Sequence, residues 1–423
     1  MAENSEAKPA GPLAGYRVLE IGSTVAGPFC GRMLADFGAE VIKIEPPDGD
    51  PVRTMGKQLD GHSLYAASIF RNKKLISLDL REQKGREIVR ALAAKCDVLV
   101  ENFKPGTLEK WGMGWTDLAK INPGLVMVRI SGFGQDGPYS HRPGYGVVCE
   151  AVSGLRHLTG DPNQAPSRVG VSMTDYIAGL HGAYGAVMAL MQRKQTGRGQ
   201  FIDAALYECA FNFMEAWIPA YDKMGFVPNR TGSRLIGSTP NNLYPTADAT
   251  YIHITAMADN LFRRLAVAME QPELADDPRF AKHPGRNEHH AELDAIIGTW
   301  TLTLPLARIE ELMQKAQIPA TRIFTIEDIF NDPHYQARNS IVRPPDDHLG
   351  TIAMAGVVPR LSETPGVVRH AGRDIGQDTR SVLQDILALE NETIDTLISQ
   401  GILAEKPSAK SQASHSQHEG SAA

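Results

Sequence analysis

The sequence predicts an α/β protein in which a large domain with a parallel, doubly wound sheet is accompanied by a smaller domain. Strand patterns alternate with helical patterns along the first half of the chain, as is typical of a parallel sheet covered by helices. The alternation stops at 225–245, where Gly, Pro, Asn and Ser are dense, and this composition indicates a connection between domains. At 423 residues the chain also exceeds one ordinary hydrophobic core.

A β-α-β unit opens the predicted sheet. The run 17–21 (RVLEI) predicts a buried strand, Pro28 suits the first turn of a helix that ends near Phe37, and 40–45 (EVIKIE) predicts the next strand. The later elements repeat this alternation: a strand at 75–80, a helix at 83–95, strands at 97–101 and 125–130, a helix from 174 to about 194, a strand at 201–206 and a helix from about 207.

The pattern divides the chain into a large domain, a linker and a small domain. The large domain covers 12–224 and is resumed at 326–403, with a helix at 378–387, while 225–250 forms the linker and 251–325 the small α+β domain. Helices are expected in the small domain at 260–269, 288–301 and 306–316. The terminal segments 1–11 and 404–423 are poor in apolar residues, so we expect disordered tails there.

Composition and charge exclude several classes of protein. The 43 Lys and Arg against 49 Asp and Glu give a net charge of −6, which argues against a general nucleic-acid binder. No apolar run approaches the roughly 18 residues of a membrane span, and the polar N-terminal segment lacks the apolar core of a signal peptide. We therefore expect a cytoplasmic protein without membrane or nucleic-acid partners.

Cysteine and histidine spacing predicts no metal site. The four cysteines contain no close C-x-x-C pair, and we interpret them as buried thiols: Cys30, Cys96, Cys149 and Cys209. A nucleophilic role for one of them would require a histidine partner that spacing alone does not supply. His289 and His290 are adjacent, and adjacent side chains on a helix point apart, so a solvated face is the better interpretation.

The first predicted strand-to-helix turn is rich in glycine. Gly22, Gly27 and Gly31 lie in EIGSTVAGPFCG, where backbone amides could receive a phosphate or where the glycines could simply allow tight packing. The spacing matches neither G-x-G-x-x-G nor G-x-x-x-x-G-K-[ST]. A Rossmann-type oxidoreductase and a P-loop NTPase therefore lose their main support.

Polar and aromatic side chains follow two of the later strands. Ligands of open α/β sheets bind outside the carboxyl ends of strands, so Asn102 and Phe103 are positioned to hydrogen-bond and stack on a ligand base. Lys104 and Lys110 could then contact phosphates, although a solvated turn is an equal alternative. The long Gly- and Pro-rich loop at 132–145 predicts either a site lining or a rigid surface excursion.

Asp175 is the most informative single residue. It stands at or just inside the start of a helix, where the helix dipole favours an ionised carboxylate. Gly179, Gly182 and Ala186 leave the face below it nearly bare, which permits either close helix packing or room for a ligand. An ordinary N-cap is the alternative role for Asp175.

Seven blocks of the sequence, in order and spacing, resemble the class III CoA-transferases, the family of formyl-CoA transferase and carnitine CoA-transferase. These blocks are EIGSTVAGPFCGRMLADFGAEVIKIEPP, RNKKLISLDL, DVLVENFKPGTLEKWGMGW, NPGLVMVRISGFGQDGPYSHRPGY, GVSMTDYIAGLHGAYGAVMAL, KQTGRGQFIDAALYE and ELADDPRF. The resemblance covers about 12–403. It implies a Rossmann-like large domain, a small domain joined by long linkers, and an interlocked homodimer.

The resemblance also implies roles for individual residues. Asp175 falls on the family's nucleophile, which would form a mixed anhydride and then an aspartyl-CoA thioester, with CoA as a substrate rather than a bound cofactor. The implied CoA contacts are Val25, Ala26, Leu78, Asp79, Arg81, Asn102, Phe103, Lys104, Lys110 and Tyr145. The pattern is most similar to the branch that uses succinyl-CoA and small dicarboxylates.

Two positions depart from the family pattern. No glycine-rich loop is evident around 237–242 (GSTPNN), which disfavours a formyl-CoA or oxalate substrate, and Gly146 stands where an acidic residue is common. The alternative activity is that of an α-methylacyl-CoA racemase, whose catalytic histidine position is occupied here by Tyr145. Because a tyrosine is a poor base near neutrality, we prefer the transferase. A CoA-binding protein without catalysis would be favoured only if Asp175 were replaced.

Overall fold

A computed structural model describes residues 11–405 of the chain. Its strands are β1 (Arg17–Glu20), β2 (Glu40–Glu45), β3 (Gln58–Leu59), β4 (His62–Ser63), β5 (Lys73–Leu78), β6 (Val98–Glu101), β7 (Val126–Ser131), β8 (Phe201–Ala205), β9 (Asn241–Pro245), β10 (Tyr251–Thr255), β11 (Ala320–Arg322), β12 (Ile341–Val342), β13 (Pro345–Asp346), β14 (Gly350–Thr351), β15 (Met354–Ala355) and β16 (Leu403–Ala404). Its α-helices are α1 (Ala26–Asp36), α2 (Leu64–Ile69), α3 (Gln83–Ala93), α4 (Thr107–Lys110), α5 (Trp115–Ile121), α6 (Gly146–Val152), α7 (Leu155–Leu158), α8 (Met173–Thr196), α9 (Leu206–Phe211), α10 (Trp217–Met224), α11 (Asp259–Ala268), α12 (His283–Glu288), α13 (His290–Thr301), α14 (Leu306–Lys315), α15 (Ile326–Asn331), α16 (Pro333–Ala337), α17 (Thr379–Leu387) and α18 (Asn391–Ser399).

The described residues form two compact units. The first takes 11–155, Gly170–Glu215 and 337–405, and the second takes Arg156–Val169 and Ala216–Gln336. The chain therefore leaves the first unit twice and returns twice. The domain boundaries drawn from the sequence remain a proposal. Three segments expected in the large domain, 156–169, 216–224 and 326–336, lie in the second compact unit.

A seven-stranded sheet, in the order β16-β5-β2-β1-β6-β7-β8, organises the first unit. All neighbouring strands run parallel except β16, which pairs antiparallel with β5. Strand β1 lies between β2 and β6. The strands that follow it in sequence are added first on one side, as β2 and β5, and then on the other side, as β6, β7 and β8. Such a switch point leaves a crevice at the carboxyl ends of the two strands, where ligands bind in open α/β sheets.

Two apolar layers cover this sheet because successive side chains on a strand point to opposite faces. Leu19 and Leu99 belong to one buried cluster, to which α3, α17 and α18 contribute, whereas Val18 and Val98 belong to the other, which includes α1 and α8. The helices that alternate with the strands along the chain supply the rest of both layers, as the sequence predicts. The mixed α/β class with a mostly parallel sheet is confirmed.

The second unit has its own core around a small antiparallel sheet, β9-β10-β11. Ile252 and Ile254 of β10 pack with Phe262 and Leu265 of α11 and with Ile297 of α13. The helices expected at 260–269, 288–301 and 306–316 are present with small shifts at their ends as α11, α13 and α14. Among residues 11–405, no helix combines the length and the apolar character that a membrane crossing requires.

Order extends slightly beyond the expected C-terminal boundary. Ala404 pairs with Ser77, and the Glu405 carboxylate accepts hydrogen bonds from Arg380 at 2.9 and 3.0 Å. The tail therefore begins later than position 404. The rest of the two expected tails lies outside the described residues.

Candidate active site

At the switch point, the loops that follow β1 and β6 are joined by two hydrogen bonds. The Ser23 amide donates to Asn102 Oδ1 at 2.7 Å, and Asn102 Nδ2 donates to the Ser23 carbonyl at 2.9 Å. A Cβ on Gly22 would lie 2.8 Å from Asn102 Oδ1, and one on Gly27 would lie 3.2 Å from the Gly22 Cα. The glycines of the first turn therefore serve close backbone approach.

A buried charge network holds the same turn from below. Lys43 Nζ contacts Asp50 at 2.9 Å and donates to the Gly22 carbonyl, while the Asp50 carboxylate accepts the Thr24 amide at 3.0 Å. Lys73 pairs with Glu20 at 2.6 Å beneath β1. Because removing one partner would leave a buried unpaired charge, this network fixes the position of the turn.

Asp175 lies in the first turn of α8, two residues after its start, and is not an N-cap. Ser172 occupies the N-cap position without a side-chain cap. Burial raises the pKa of the Asp175 carboxyl from its usual 3.8 to about 6, and only its own backbone amide opposes this shift. The backbone at the helix start favours the ionised form, in the direction expected from the sequence, but burial has the larger effect and raises the pKa. A pKa of about 6 leaves this carboxyl mostly ionised at pH 7.

The Asp175 carboxylate occupies the place that a side chain at Gly146 would take, and the glycines of its own helix do not make this place. A Cβ on Gly146 would lie 2.0 Å from Asp175 Oδ2, and Thr174 Oγ1 donates to the Gly146 carbonyl at 2.8 Å. By contrast, a Cβ on Gly179 would lie 2.7 Å from the Ala26 carbonyl oxygen of α1. The bare face of α8 is thus used for close packing, so a ligand does not enter there.

A cavity of about 340 Å³ brings many of the expected residues together around Asp175. We call it the Asp175 cavity. Its lining includes seven residues singled out from the sequence: Val25, Ala26, Asn102, Phe103, Lys104, Tyr145 and Asp175. Sequence reasoning did not single out Ser131, Ser140 or Arg142, although the last two lie in the loop 132–145. That loop reaches the cavity because Gly132 and Gly144 approach within contact distance, each Cβ position being 2.8 Å from the other's Cα.

A second cavity of about 330 Å³ adjoins the first and shares Ser23 and Phe103 with it. We call it the Asp79 cavity; its lining includes Leu78, Asp79, Arg81 and Trp111. Arg81 donates to Asp79 at 2.6 Å, and this hydrogen bond lowers the pKa of the Asp79 carboxyl. Trp111, which the sequence reasoning missed, packs edge-on against Phe103 with ring centroids 5.4 Å apart.

Lys110 is the expected contact that lines neither of these cavities. It is the last residue of α4 and is exposed. Because its side chain is long and solvated, it could reach only the outer part of a bound ligand. The structure therefore separates Lys110 from Lys104, which lines the Asp175 cavity.

The four cysteines are buried, free thiols, as expected. Burial raises the pKa of the Cys149 thiol to about 12, and the negative charge of Asp175 contributes in the same direction. Its Sγ donates to the Gly132 carbonyl at 3.3 Å. A thiol held in this way is a poor nucleophile, since the thiolate is the reactive form.

Comparisons with known proteins show to which family the chain belongs. The chain is 47% identical over 395 residues to succinyl-CoA--D-citramalate CoA-transferase of Chloroflexus aurantiacus, covering 93% of this chain and 98% of the relative. It is 34% identical to the human succinyl-CoA:glutarate CoA-transferase, covering 93% and 90%. A CAIB/BAIF family protein from Brucella suis superposes with a TM-score of 0.80 at 32% identity, covering 89% of this chain and 100% of that one. The model of CoA-transferase family III matches residues 13–379, and the chain belongs to that family as a CoA-transferase whose substrates are CoA thioesters.

Proposed function

We propose that this enzyme transfers CoA from succinyl-CoA to a small dicarboxylate through covalent intermediates on Asp175. The observation that carries the mechanism is a largely buried carboxylate with a raised pKa that lines a cavity and lies against Gly146, where a side chain at position 146 would displace it. A carboxylate of raised pKa is more nucleophilic than a solvated one and is still ionised at neutral pH. The relatives named for succinyl-CoA support the donor.

The proposed reaction proceeds in four balanced steps. An Asp175 oxygen attacks the succinyl thioester carbonyl, so that the C–S bond breaks, a mixed anhydride forms and CoA leaves as the thiolate. The thiolate sulfur then attacks the aspartyl carbonyl, which releases succinate and forms an aspartyl-CoA thioester. The acceptor carboxylate attacks that thioester, giving a second anhydride and the thiolate again. Attack of the thiolate on the acceptor's carbonyl gives the new acyl-CoA and restores Asp175.

Backbone groups would stabilise the negative oxygen that forms at each attack. In this proposal the donors are amides of the glycine-bearing loops and of the first turn of α8. The turn that carries Gly22 is suited to this task, because the buried Lys43–Asp50 pair and Asn102 hold it in place. A fixed donor needs no rearrangement at the moment of reaction.

The two adjoining cavities suggest how CoA lies. In this proposal the nucleotide end occupies the Asp79 cavity, and the pantetheine arm passes Phe103 into the Asp175 cavity. Phe103 and Trp111 offer aromatic surfaces at the border, and Lys104 and Arg81 supply cations for phosphates. Lys110 would act only at the solvent end.

Arg142 is proposed to bind the distal carboxylate of succinyl-CoA and of the acceptor. Its guanidinium lies over the Tyr139 ring, 3.6 Å from the ring centroid, and it lines the Asp175 cavity. A planar cation fixed by an aromatic ring can bind a carboxylate through two parallel hydrogen bonds. This arrangement favours dicarboxylates over monocarboxylates.

An interlocked homodimer is proposed as the working state. Leu180, Tyr184, Met188 and Met191 form one exposed apolar stripe along α8, and three of them also line an apolar cavity of about 490 Å³. An apolar surface of this kind typically marks a protein interface. Two relatives are named as alpha and beta subunits, so a second, different chain is the alternative to self-association. Light scattering of the purified chain should give the mass of a dimer, and Tyr184→Glu should reduce it to that of a monomer.

The cytoplasmic location stays a prediction.

The test of the activity is a screen of acyl-CoA donors against carboxylate acceptors, read by mass spectrometry. Succinyl-CoA with citramalate, malate or glutarate should give the corresponding acyl-CoA and free succinate. Incubation with a 2-methylacyl-CoA in deuterated water should give no deuterium at the α-carbon. Exchange at a catalytic rate would favour the racemase alternative, and failure of every dicarboxylate would refute the proposed acceptor class.

A further inference from the structure

A cluster of two histidines and an aspartate lies in the first unit, among residues that none of the steps above uses. His62, His348 and Asp374 each offer one ligand atom, and these three atoms lie within 4.8 Å of one another. The His62 and His348 rings stack with centroids 3.8 Å apart, and His348 Nε2 lies 2.9 Å from both Asp374 oxygens. From this geometry we propose that the three side chains bind a divalent transition-metal ion of the zinc type.

The chemistry of the three ligands selects the class of metal. Imidazole nitrogen and carboxylate oxygen together suit Zn²⁺ and its neighbours, whereas Mg²⁺ and Ca²⁺ prefer oxygen ligands alone. Zinc ligands at about 2.0–2.2 Å in a tetrahedron lie about 3.4 Å from each other. His348 Nε2 and the Asp374 oxygens are now in direct contact at 2.9 Å, so a bound ion would replace this contact and move these atoms apart by about 0.5 Å. His62 would have to turn out of its stack on His348 for its nitrogen to reach the same ion.

The backbone on each side of the cluster is fixed before any metal binds. His62 directly follows the two-residue turn Asp60–Gly61 of the β3–β4 hairpin, in which both residues have positive φ. Asp346 Oδ1 accepts the backbone amides of His348 and Leu349 at 3.0 and 2.9 Å, which fixes the β13–β14 turn. Two of the three ligands therefore stand on rigid supports, as a metal site requires.

Space for a fourth ligand exists beside the cluster. All three residues line a cavity of about 520 Å³, which also contains Ser63 and Glu405. The Glu405 carboxylate is engaged by Arg380, so a water molecule would complete a tetrahedral shell there. None of the three ligands lines the Asp175 or the Asp79 cavity, so the metal would be structural. It would join the hairpin near the start of the chain to two loops of its last section.

The test is a titration of Zn²⁺ into the metal-free full chain by calorimetry, with Co²⁺ as a spectroscopic probe. His415 and His418 of the C-terminal sequence form an H-x-x-H pair that could also bind zinc, so the parent protein carries His415→Ala and His418→Ala. We expect one Zn²⁺ per chain, a Co²⁺ absorption spectrum typical of four-coordinate geometry, and a rise in the melting temperature on adding Zn²⁺.

Substitutions in the cluster should remove these signals without changing the transferase rate. His62→Ala, His348→Ala and Asp374→Asn should each weaken Zn²⁺ binding at least tenfold. His334→Ala, an exposed histidine of α16, should leave it unchanged. If the parent shows no stoichiometric binding, or if His62→Ala and His348→Ala both keep full affinity and the Co²⁺ spectrum, the cluster is only a stacked ion pair and the proposal is wrong.

Discussion

Two aspartates that line adjoining cavities have pKa values shifted in opposite directions. Asp175 is largely but not fully buried and has no cation among the groups that shift its pKa, so burial raises that pKa to about 6. The hydrogen bond from Arg81 instead lowers the pKa of Asp79. An unpaired buried carboxylate costs stability but is reactive, and a paired one is stable but unreactive. The difference is consistent with the roles that we propose, covalent chemistry for Asp175 and the positioning of a CoA-binding loop for Asp79.

The largest expected effect is the loss of turnover in Asp175→Asn. The amide is nearly isosteric with the carboxylate, but its oxygen is too weak a nucleophile to form the anhydride, so the rate should fall at least about a thousandfold. CoA binding should be kept, as measured by calorimetry. Asp79→Asn is the matched control and should retain turnover within about tenfold. Comparable losses in the two variants would remove the distinction between the two carboxylates.

Gly146→Ala should reduce turnover by about a hundredfold. Its Cβ would lie 2.0 Å from Asp175 Oδ2, so the carboxylate must rotate away from its present position, and a displacement of about 1 Å has an effect of this size. Gly170→Ala is the control, because its Cβ would meet no atom within 4 Å and its φ is not positive. Steady-state kinetics of both variants provide the measurement. An alanine at 146 without kinetic consequence would show that Asp175 reacts from another rotamer.

Arg142→Ala should raise the KM for dicarboxylate acceptors about tenfold and leave the KM for monocarboxylates unchanged. The reason is that only a dicarboxylate has a second charge for the guanidinium to bind. Arg142→Lys should restore part of the loss, since a lysine keeps the charge but not the paired hydrogen bonds. An equal rise for both acceptor classes would assign Arg142 to loop packing on Tyr139 instead.

The smallest expected effect is on stability, where the two aspartates should differ in sign. Between pH 3.8 and about 6 the folded state binds a proton at Asp175 that the unfolded chain has released, so the wild type loses stability as pH rises through this window. Asp175→Asn should therefore be more stable than wild type at pH 7, by about 1–3 kcal/mol, and this gain should vanish near pH 4. Urea unfolding at both pH values measures it.

Asp79→Asn should instead be less stable than wild type at pH 7. The folded-state pKa of Asp79 is lowered, so its pairing with Arg81 stabilises the fold above the unfolded pKa of 3.8 and is lost as pH falls. If both variants changed stability in the same direction at pH 7, the opposite surroundings of the two carboxylates would not be supported.

The sequence predicts the strands of the large sheet well, but it does not predict which residues contact Asp175. Strands β1, β2 and β5 to β8 carry continuous apolar or alternating patterns, and these local patterns predict them within about two residues. The two-residue strand β16 has no pattern to detect, because only its partner β5 defines it. Asp175 could be singled out from its helix start, but the role of Gly146, which precedes it by many residues, depends on tertiary packing.

The same limit explains the missed cluster of His62, His348 and Asp374. Its members come from one hairpin and from two loops far along the chain, so no spacing rule brings them together. Arg142 was missed for a different reason. Its loop was recognised as unusual from length and composition, but which side chain of the loop reaches the cavity follows from the contact between Gly132 and Gly144.

The most direct test of the central claim is to trap the intermediate on Asp175. Wild-type enzyme mixed with succinyl-CoA and hydroxylamine should lose activity and carry a hydroxamate on the peptide that contains Asp175, because the aspartyl anhydride and the aspartyl thioester both react with hydroxylamine. Enzyme without succinyl-CoA should remain unlabelled and active. A label on a peptide containing Cys149 or Cys209, or full activity after the treatment during turnover, would contradict covalent catalysis by Asp175.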